Sequence, residues 1–405
     1  MRPLLALASR AKKEGHEVGL LLSPVDQMDW AAVCRGQGLE VTLVPEKVEK
    51  SLEAICAAAQ SADPTQVSIA LLDQAFFPYL EAMYAASLEL CKKSDVVVGL
   101  FSSWYVKAAC LKTGVPFACV HYYPGMVPSR EVPPVGLGFP EWRWLNPIAW
   151  GLLFWLLDMA FKKPAQKFWA EKGLPPIRRA MVDAEMSELL NIVGTSRALF
   201  SPPSDWGGRD RLVGHLSMPG AATSWAPAGE LERFLNDGPK PVFMSLGTME
   251  HFAPARAKGL LTGAAKAAGV RAVIQTKVGG EGRDGDLYFL RWVPHEVIVP
   301  RCSAMVVHGG AGTTHAALKA GVPAVPVPFI FEQGAWGGLL HRAGSATKPL
   351  KFWKATPETL GANLRQAVTS EAMAAKAAEL AAIAAKEDGT GDAVRALERV
   401  AGGVR

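Results

Sequence analysis

Residues 303–334 read "SAMVVHGGAGTTHAALKAGVPAVPVPFIFEQG", and this stretch decides the fold. The apolar run Ala304–Val307 is short and rich in β-branched residues, as a strand of a covered parallel sheet should be. It delivers His308 at its carboxyl end. Gly309, Gly310, Ala311 and Gly312 then make a tight turn, Thr313 begins a helix, and Gly321 closes it. Such a strand, turn and helix aim several free backbone N–H groups and the positive end of the helix dipole at one point, an anion site that phosphate commonly fills. Thr313 and Thr314 add hydroxyl donors, and His308 can add another hydrogen bond. Two other readings stay open. Gly310-x-Gly312 is a fragment of the dinucleotide motif G-x-G-x-x-G, with Glu332 where a ribose-binding acid would sit, although His315 holds the third glycine position. The turn could also be purely structural.

Two neighbouring segments point to the same place. "PVFMSLGTME" (241–250) ends a strand in Ser245, Leu246, Gly247 and Thr248, small and hydroxylic at a carboxyl end. Ligands of open α/β sheets gather at those ends. "LRWVPHEVIVPRC" (290–302) sets Trp292 just after another strand, where its ring could stack on a base or fill the core. With Val242–Leu246, Ala272–Gln275, Tyr288–Leu290, Ala304–Val307 and Ala324–Val327 as strands, the second half is an α/β series. Helical segments from Pro357 to Val400 follow it and carry no site signal.

The first half alternates in the same way. An opening helix with Leu4, Leu5, Ala8 and Ala11 on one face precedes strands at Val18–Leu22, Val41–Val44, Val96–Leu100 and Phe117–Val120. That alternation means α/β with crossover helices. Residues 121–150 are rich in Pro, Gly and aromatics, and a loop that long is usually functional. The helix that follows, "NPIAWGLLFWLLDMAFKKPAQKFWAEKG" (146–173), is apolar first and basic afterwards. It reads either as a buried helix with a solvated end or as one leaning on a greasy ligand or a membrane. Residues 201–239 are linker-like.

At 405 residues the chain exceeds one ordinary core, so two domains of roughly 200 residues are expected. The boundaries read as 1–205, a linker over 206–239, and 240–405 with its last helix free to cross back. A composition of 49% hydrophobic and 20% charged residues excludes wholesale disorder. The net charge of +5 gives no support for nucleic-acid binding. Six scattered cysteines, with no C-x-x-C pair, suit reduced thiols and no metal. No leader pattern opens the printed chain, and its longest apolar run, Ile148 to Leu157, is about half a membrane span. The expected compartment is the cytoplasm, with peripheral membrane contact through 148–179 left open.

The order S-L-G-T, W-V-P-H, H-G-G-A-G-T-T, G-V-P and E-Q resembles the donor half of family-1 glycosyltransferases with the GT-B fold, nearest to the sterol and antibiotic glucosyltransferase branch. "GHEV" (15–18) resembles the family's first helix–strand junction, "PSREVPP" (128–134) its acceptor loop, and "PPSDW" with "GELERFLNDGPKPVFMSLGTM" its linker and next strand. The resemblance implies two Rossmann-like doubly wound domains facing across a cleft. It also implies inverting, metal-independent transfer of a hexose, glucose from UDP-glucose first, to a hydroxyl of a lipophilic acceptor such as a sterol, terpenoid or polyketide. A TDP-sugar is the other donor left open, and no cofactor is expected. Carried over, Trp292 and Val293 would hold the base. His308, Gly310, Ala311, Gly312, Thr313 and Thr314 would hold the diphosphate, helped by Ser245, Gly247 and Thr248. Glu332 and Gln333 stand where the family places Asp-Gln against the sugar, and the extra methylene of Glu332 could change which hexose fits.

The acceptor hydroxyl needs a general base, because an alcohol is a poor nucleophile at neutral pH. In the family branch it is an Asp in a loop like G-D-V-x-P after the first strand, and only "MRP" of that motif stands here. The expectation is that strand, turn and acid lie upstream of Met1, with a start misread by about 10–15 residues, enough for one strand and its turn. His121 and Glu131, on or beside the acceptor loop, are the candidate substitutes, while His16, at the far end of the first helix, reads as structural. Two further functions stay in play: a nucleotide-sugar binder or accessory protein lacking turnover, and a GT-B enzyme using an N-acetylhexosamine donor.

Overall fold

The computed structural model describes residues 2–22, 29–44, 76–100, 103–135, 139, 142–218, 225–227 and 229–403. They divide into two compact units. Met1–Ser196, Pro202–Pro219 and Asp388–Arg405 make the first, and Arg197–Ser201 with Gly220–Glu387 make the second.

The first unit runs α1 (Arg2–Lys13), β1 (Gly19–Leu22), α2 (Trp30–Gly36), β2 (Glu40–Leu43), α3 (Leu80–Cys91), β3 (Val97–Leu100), α4 (Trp104–Thr113), β4 (Phe117–His121), α5 (Asn146–Glu171), β5 (Leu190–Val193) and β6 (Asp210–Leu212). All its strand pairs are parallel, as crossover helices require. Among the described residues these strands form two sheets, β1-β2 and β3-β4-β5-β6. One helix covers both. Leu7 of α1 packs with Ala118, Val120, Leu190 and Ile192 of β4 and β5, while Leu5 and Ala8 pack with Leu20 and Leu22 of β1. On the side of β3 away from β4, Ser103 turns back onto the strand. Its hydroxyl accepts the Leu100 N–H at 3.2 Å, and its own N–H donates to the Leu100 carbonyl at 3.0 Å.

The second unit runs α6 (Gly229–Asn236), β7 (Val242–Ser245), α7 (Pro254–Ala268), β8 (Ala272–Gln275), β9 (Gly282–Asp284), β10 (Leu287–Leu290), β11 (Ala304–Val307), α8 (Ala311–Ala320), β12 (Ala324–Pro326), α9 (Phe331–Arg342), α10 (Pro357–Thr369) and α11 (Glu371–Ala384). Its sheet has the order β12-β11-β7-β8-β10-β9, parallel except for the edge strand β9. Met244, Ile274, Val306 and Val325 from the strands bury against Leu260, Leu261 and Ala264 of α7 and Leu360 and Leu364 of α10.

The last helix, α12 (Gly389–Gly402), belongs to the first unit. Its Ala393, Val394, Ala396 and Leu397 share a core with β4 and β5. Asp388 caps it by accepting the Gly391 N–H at 3.1 Å, and the guanidinium of Arg10 grips the same carboxylate at 2.8 and 2.9 Å.

The stretch 206–239 is more structured than its composition suggests, since β6 joins the first sheet and α6 the second unit. Among the described residues no helix is long and apolar enough to cross a membrane.

Candidate functional site

In the second unit, β7 and β11 are hydrogen-bonded neighbours with Ser245 in register with Val307. The turns after both strands therefore start side by side. The ring of His308 lies between them. A Cβ on Gly247 would come within 2.9 Å of His308 Cε1, and one on Gly310 would fall on His308 Nε2. Only glycine lets both turns approach this ring. Gly309, at φ +85°, is just as confined, because its Cβ would land on the main-chain oxygen of Gln333. The glycines thus clamp the His308 turn, the Gly247 turn and the start of α9 together.

The helix after this turn starts earlier than the sequence suggests, at Ala311 with Gly310 as its cap and no side chain capping it. Its first N–H groups have no partner within the helix. Gly312 faces open space, Thr314 is buried with its hydroxyl unpartnered among the described residues, and Thr313 donates its hydroxyl to the Gly310 carbonyl at 3.1 Å. Burial first, and the neighbouring His295 second, push the His308 imidazole down to about 4, so it stays neutral at physiological pH. Its Nδ1 finds no partner among the described residues. A neutral ring, a dipole end and unclaimed N–H groups make a site for an anion that arrives fully charged.

The other predicted residues take distinct places. Ser245 is buried and its hydroxyl accepts the Gly247 N–H at 3.2 Å, which shapes the turn, whereas Thr248 is exposed. Trp292 follows β10 and is 59% exposed, which removes the core reading. Val293 has its side chain in the core, so it can meet a ligand only through its backbone. All of these sit at the carboxyl edge of the sheet. Trp292 is two strands from β7 and three from β11, roughly 10–15 Å along that edge at ordinary strand spacing. Glu332 accepts from the Trp336 indole N–H at 3.3 Å, and burial raises its carboxyl above the usual range. Gln333 is turned inward: its Oε1 accepts the Phe329 and Ile330 N–H groups at 2.9 and 3.4 Å, leaving only its NH₂ for a ligand. His315, the residue that broke the dinucleotide motif, is a packing group. Its Nδ1 bonds the Ala311 carbonyl at 2.7 Å and its ring sits edge-on to Trp336.

Sequence reasoning missed Glu250. This buried carboxylate accepts the Thr276 hydroxyl and the Lys277 N–H, tying the turn after β7 to the one after β8. Arg291 then holds the carbonyls of Lys277 and Gly279 at 3.2 and 3.4 Å, beside Trp292. No spacing signal marks these partners, which lie 26 residues apart.

In the first unit the segments "PSREVPP" and "PPSDW" meet. Asp205 accepts the Ser129 hydroxyl and the Arg130 N–H at 2.7 and 2.6 Å, and Trp150 and Asn146 of α5 bond the carbonyls of Val132 and Arg130. Both candidate substitutes are engaged by other groups, and His16 is structural as read. His121 is fully buried in β4, its ring is 3.3 Å from Asn191, and burial drives it down to about 4. Glu131 is held by Ser204 and Arg143, and the Ser204 hydroxyl and N–H keep its carboxyl below the usual range. His16 pairs with Glu398 of α12 at 3.0 Å, a structural contact within the first unit.

Parallel α/β units with an anion-ready glycine turn at the strand ends define the doubly wound class of protein, whose ligands gather at the carboxyl ends of the strands. Comparisons narrow it. Residues 285–400 match the family model for the erythromycin biosynthesis protein CIII-like C-terminal domain. The chain is 30% identical over 302 residues to an O-mycaminosyltylonolide 6-deoxyallosyltransferase of Streptomyces fradiae, covering 72% of this chain and 70% of that protein. It is 26% identical over 425 residues to a sterol 3-beta-glucosyltransferase of Arabidopsis thaliana, covering 98% of this chain and 66% of the relative. Among solved structures, the glycosyltransferase of kitacinnamycin superposes with a TM-score of 0.69 at 20% identity, over 98% of this chain and 95% of that one. Glycosyltransferase VinC in complex with dTDP superposes at 0.66 and 17% identity, over 99% and 96%. The chain belongs to the family-1 glycosyltransferases of GT-B fold.

Proposed function

We propose that this glycosyltransferase moves a hexose, glucose from UDP-glucose in the first instance, to a hydroxyl of a lipophilic acceptor, with inversion and without a metal. The observation that carries the reading is the His308 ring clamped between Gly247 and Gly310 beside the uncapped start of α8. The acceptor oxygen attacks the anomeric carbon from the face opposite the diphosphate. The bond from that carbon to the β-phosphate oxygen breaks, and the acceptor proton passes to a base. Charge then grows on the leaving diphosphate, where fixed N–H and hydroxyl donors stabilise it. Trp292 stacks on the base of the nucleotide, and Glu332 and the NH₂ of Gln333 face the sugar. The relatives named for a sterol and for O-mycaminosyltylonolide support an apolar acceptor, and we assign its binding to the first unit.

No described residue is assigned the role of base. Contact with a membrane through part of 148–179 is compatible with this reading and does not depend on it.

The test is calorimetric titration with UDP-glucose and TDP-glucose, followed by transfer assays on a panel of hydrophobic alcohols. Binding of one donor with product formation is the expected result. Binding of a donor without turnover on any alcohol of the panel favours an accessory binder, and absence of donor binding overturns the reading.

A further inference from the structure

Helix α5 has two apolar faces. Its inward face packs Ala165, Phe168 and Trp169 into one core and Trp150 and Phe154, with Met181, into another. Its outward face carries Ile148, Leu152, Trp155, Leu156 and Met159, between 44% and 61% exposed. At helical periodicity these five fall within about 100° of one another, a ridge about 16 Å long. Just before the helix, Trp142 and Trp144 are 55% and 68% exposed and stack with ring centroids 5.7 Å apart. Among the described residues, seven of the fourteen exposed large hydrophobic side chains thus lie within 142–159, whereas exposed apolar residues without a role are scattered singly.

Charge continues the pattern. One turn beyond Met159 the same face presents Lys162 and Lys163, and the Lys167 side chain is 80% exposed, with Glu171 at 4.0 Å. Between Trp142 and Ala170 the sole acid is Asp158, which accepts the Ala180 N–H at 2.7 Å and lies off the ridge. The patch is a ridge formed by one helix, aromatic at one end and basic at the other. That shape suits insertion among lipid chains, with indoles at headgroup level and ammonium groups on lipid phosphates.

We propose that the Trp142–Lys163 ridge docks the first unit on an anionic lipid bilayer. The region is narrower than 148–179, because Phe168, Trp169 and Ile177 point into the core. Docking itself is independent of the transfer reaction. Its use, taking up an acceptor dissolved in the bilayer, rests on the lipophilic-acceptor reading.

The test is co-sedimentation of the full chain, without donor or acceptor, on vesicles of phosphatidylcholine alone and of equimolar phosphatidylcholine and phosphatidylglycerol. Because no substrate is present, failure here says nothing against the transferase reading. Binding to the mixed vesicles is expected, with a blue shift of tryptophan emission. The pair Trp155→Glu and Met159→Glu abolishes it while the thermal melt stays unchanged, since both side chains face solvent. Lys162→Gln with Lys163→Gln weakens partitioning at low salt by about fivefold per lysine, roughly 25-fold in all. Equal partitioning onto neutral and anionic vesicles, binding untouched by the Glu variants, or loss of a dimer in place of loss of vesicle binding overturns the proposal.

Discussion

His308 illustrates how one residue is given a narrow task. Its ring is boxed by two glycines, and burial keeps it neutral at physiological pH, so it can offer an anion a hydrogen bond without carrying a charge. His308→Ala should lower kcat by about 10²-fold or more, the usual effect of removing one fixed donor to a developing anion, as measured in donor-saturated transfer assays. Trp292→Ala should raise the donor KM by roughly tenfold through lost stacking. Its exposure means the melting temperature should not move. His121, His308 and His315 share another consequence, since burial lowers each from 6.5 to about 4. Between those values the unfolded chain binds protons that the native chain refuses. Stability is therefore fully present above pH 6.5 and is lost as pH falls toward 4. Urea midpoints at pH 7, 6 and 5 should fall in that order. The places of His308, the small residues after it and Trp292 at strand ends were legible in the sequence, because each follows an apolar run. The orientation of Gln333 and the grip of Glu250 were not, because each depends on a partner that only the folded chain supplies.

At the scale of elements, the turn after β11 separates two effects that substitutions usually mix. Gly309→Ala combines a left-handed backbone with a collision against a main-chain oxygen, which cannot swing away. It should cost about 1–3 kcal/mol from the backbone alone, read as a lower denaturation midpoint. Gly310→Ala is different, because φ −70° suits any residue and the added carbon meets a side chain. It should lower the midpoint less than Gly309→Ala does, because a ring can turn where a main-chain oxygen cannot, and weaken donor binding by at least about tenfold, the worth of one hydrogen bond to a charged group. Strands with buried β-branched runs, such as β4 and β11, are readable to within a residue. β6 and β9 are not, because "DRL" and "GRD" are polar edge pieces with no alternation. β6 forms because β5 offers its ladder: Asn191 donates its N–H to the Arg209 carbonyl and its amide to Asp210. The helical pattern of α5 was legible too. Which apolar face it buries was not, since both faces are apolar and only the surrounding cores choose between them.

For the whole molecule, the alternation of strands and helices announces two α/β halves, but it does not say where the last helix goes. Its pattern fits packing on either half, and Asp388, Glu398 and the small residues of α12 find their partners only in the first unit. Deleting residues 388–405 should therefore damage the unit that contains Met1 and spare the one that contains His308. Hydrogen exchange on the shortened chain should show lost protection in β4 and β5, with β7 and β11 still protected and donor still bound. The same arrangement carries a cost in time. On the ribosome the first unit emerges early with an unfilled seat beside α1, and the helix that fills it is synthesised after the whole second unit. The half made first is thus completed last, and its core keeps an open side until α12 has been made.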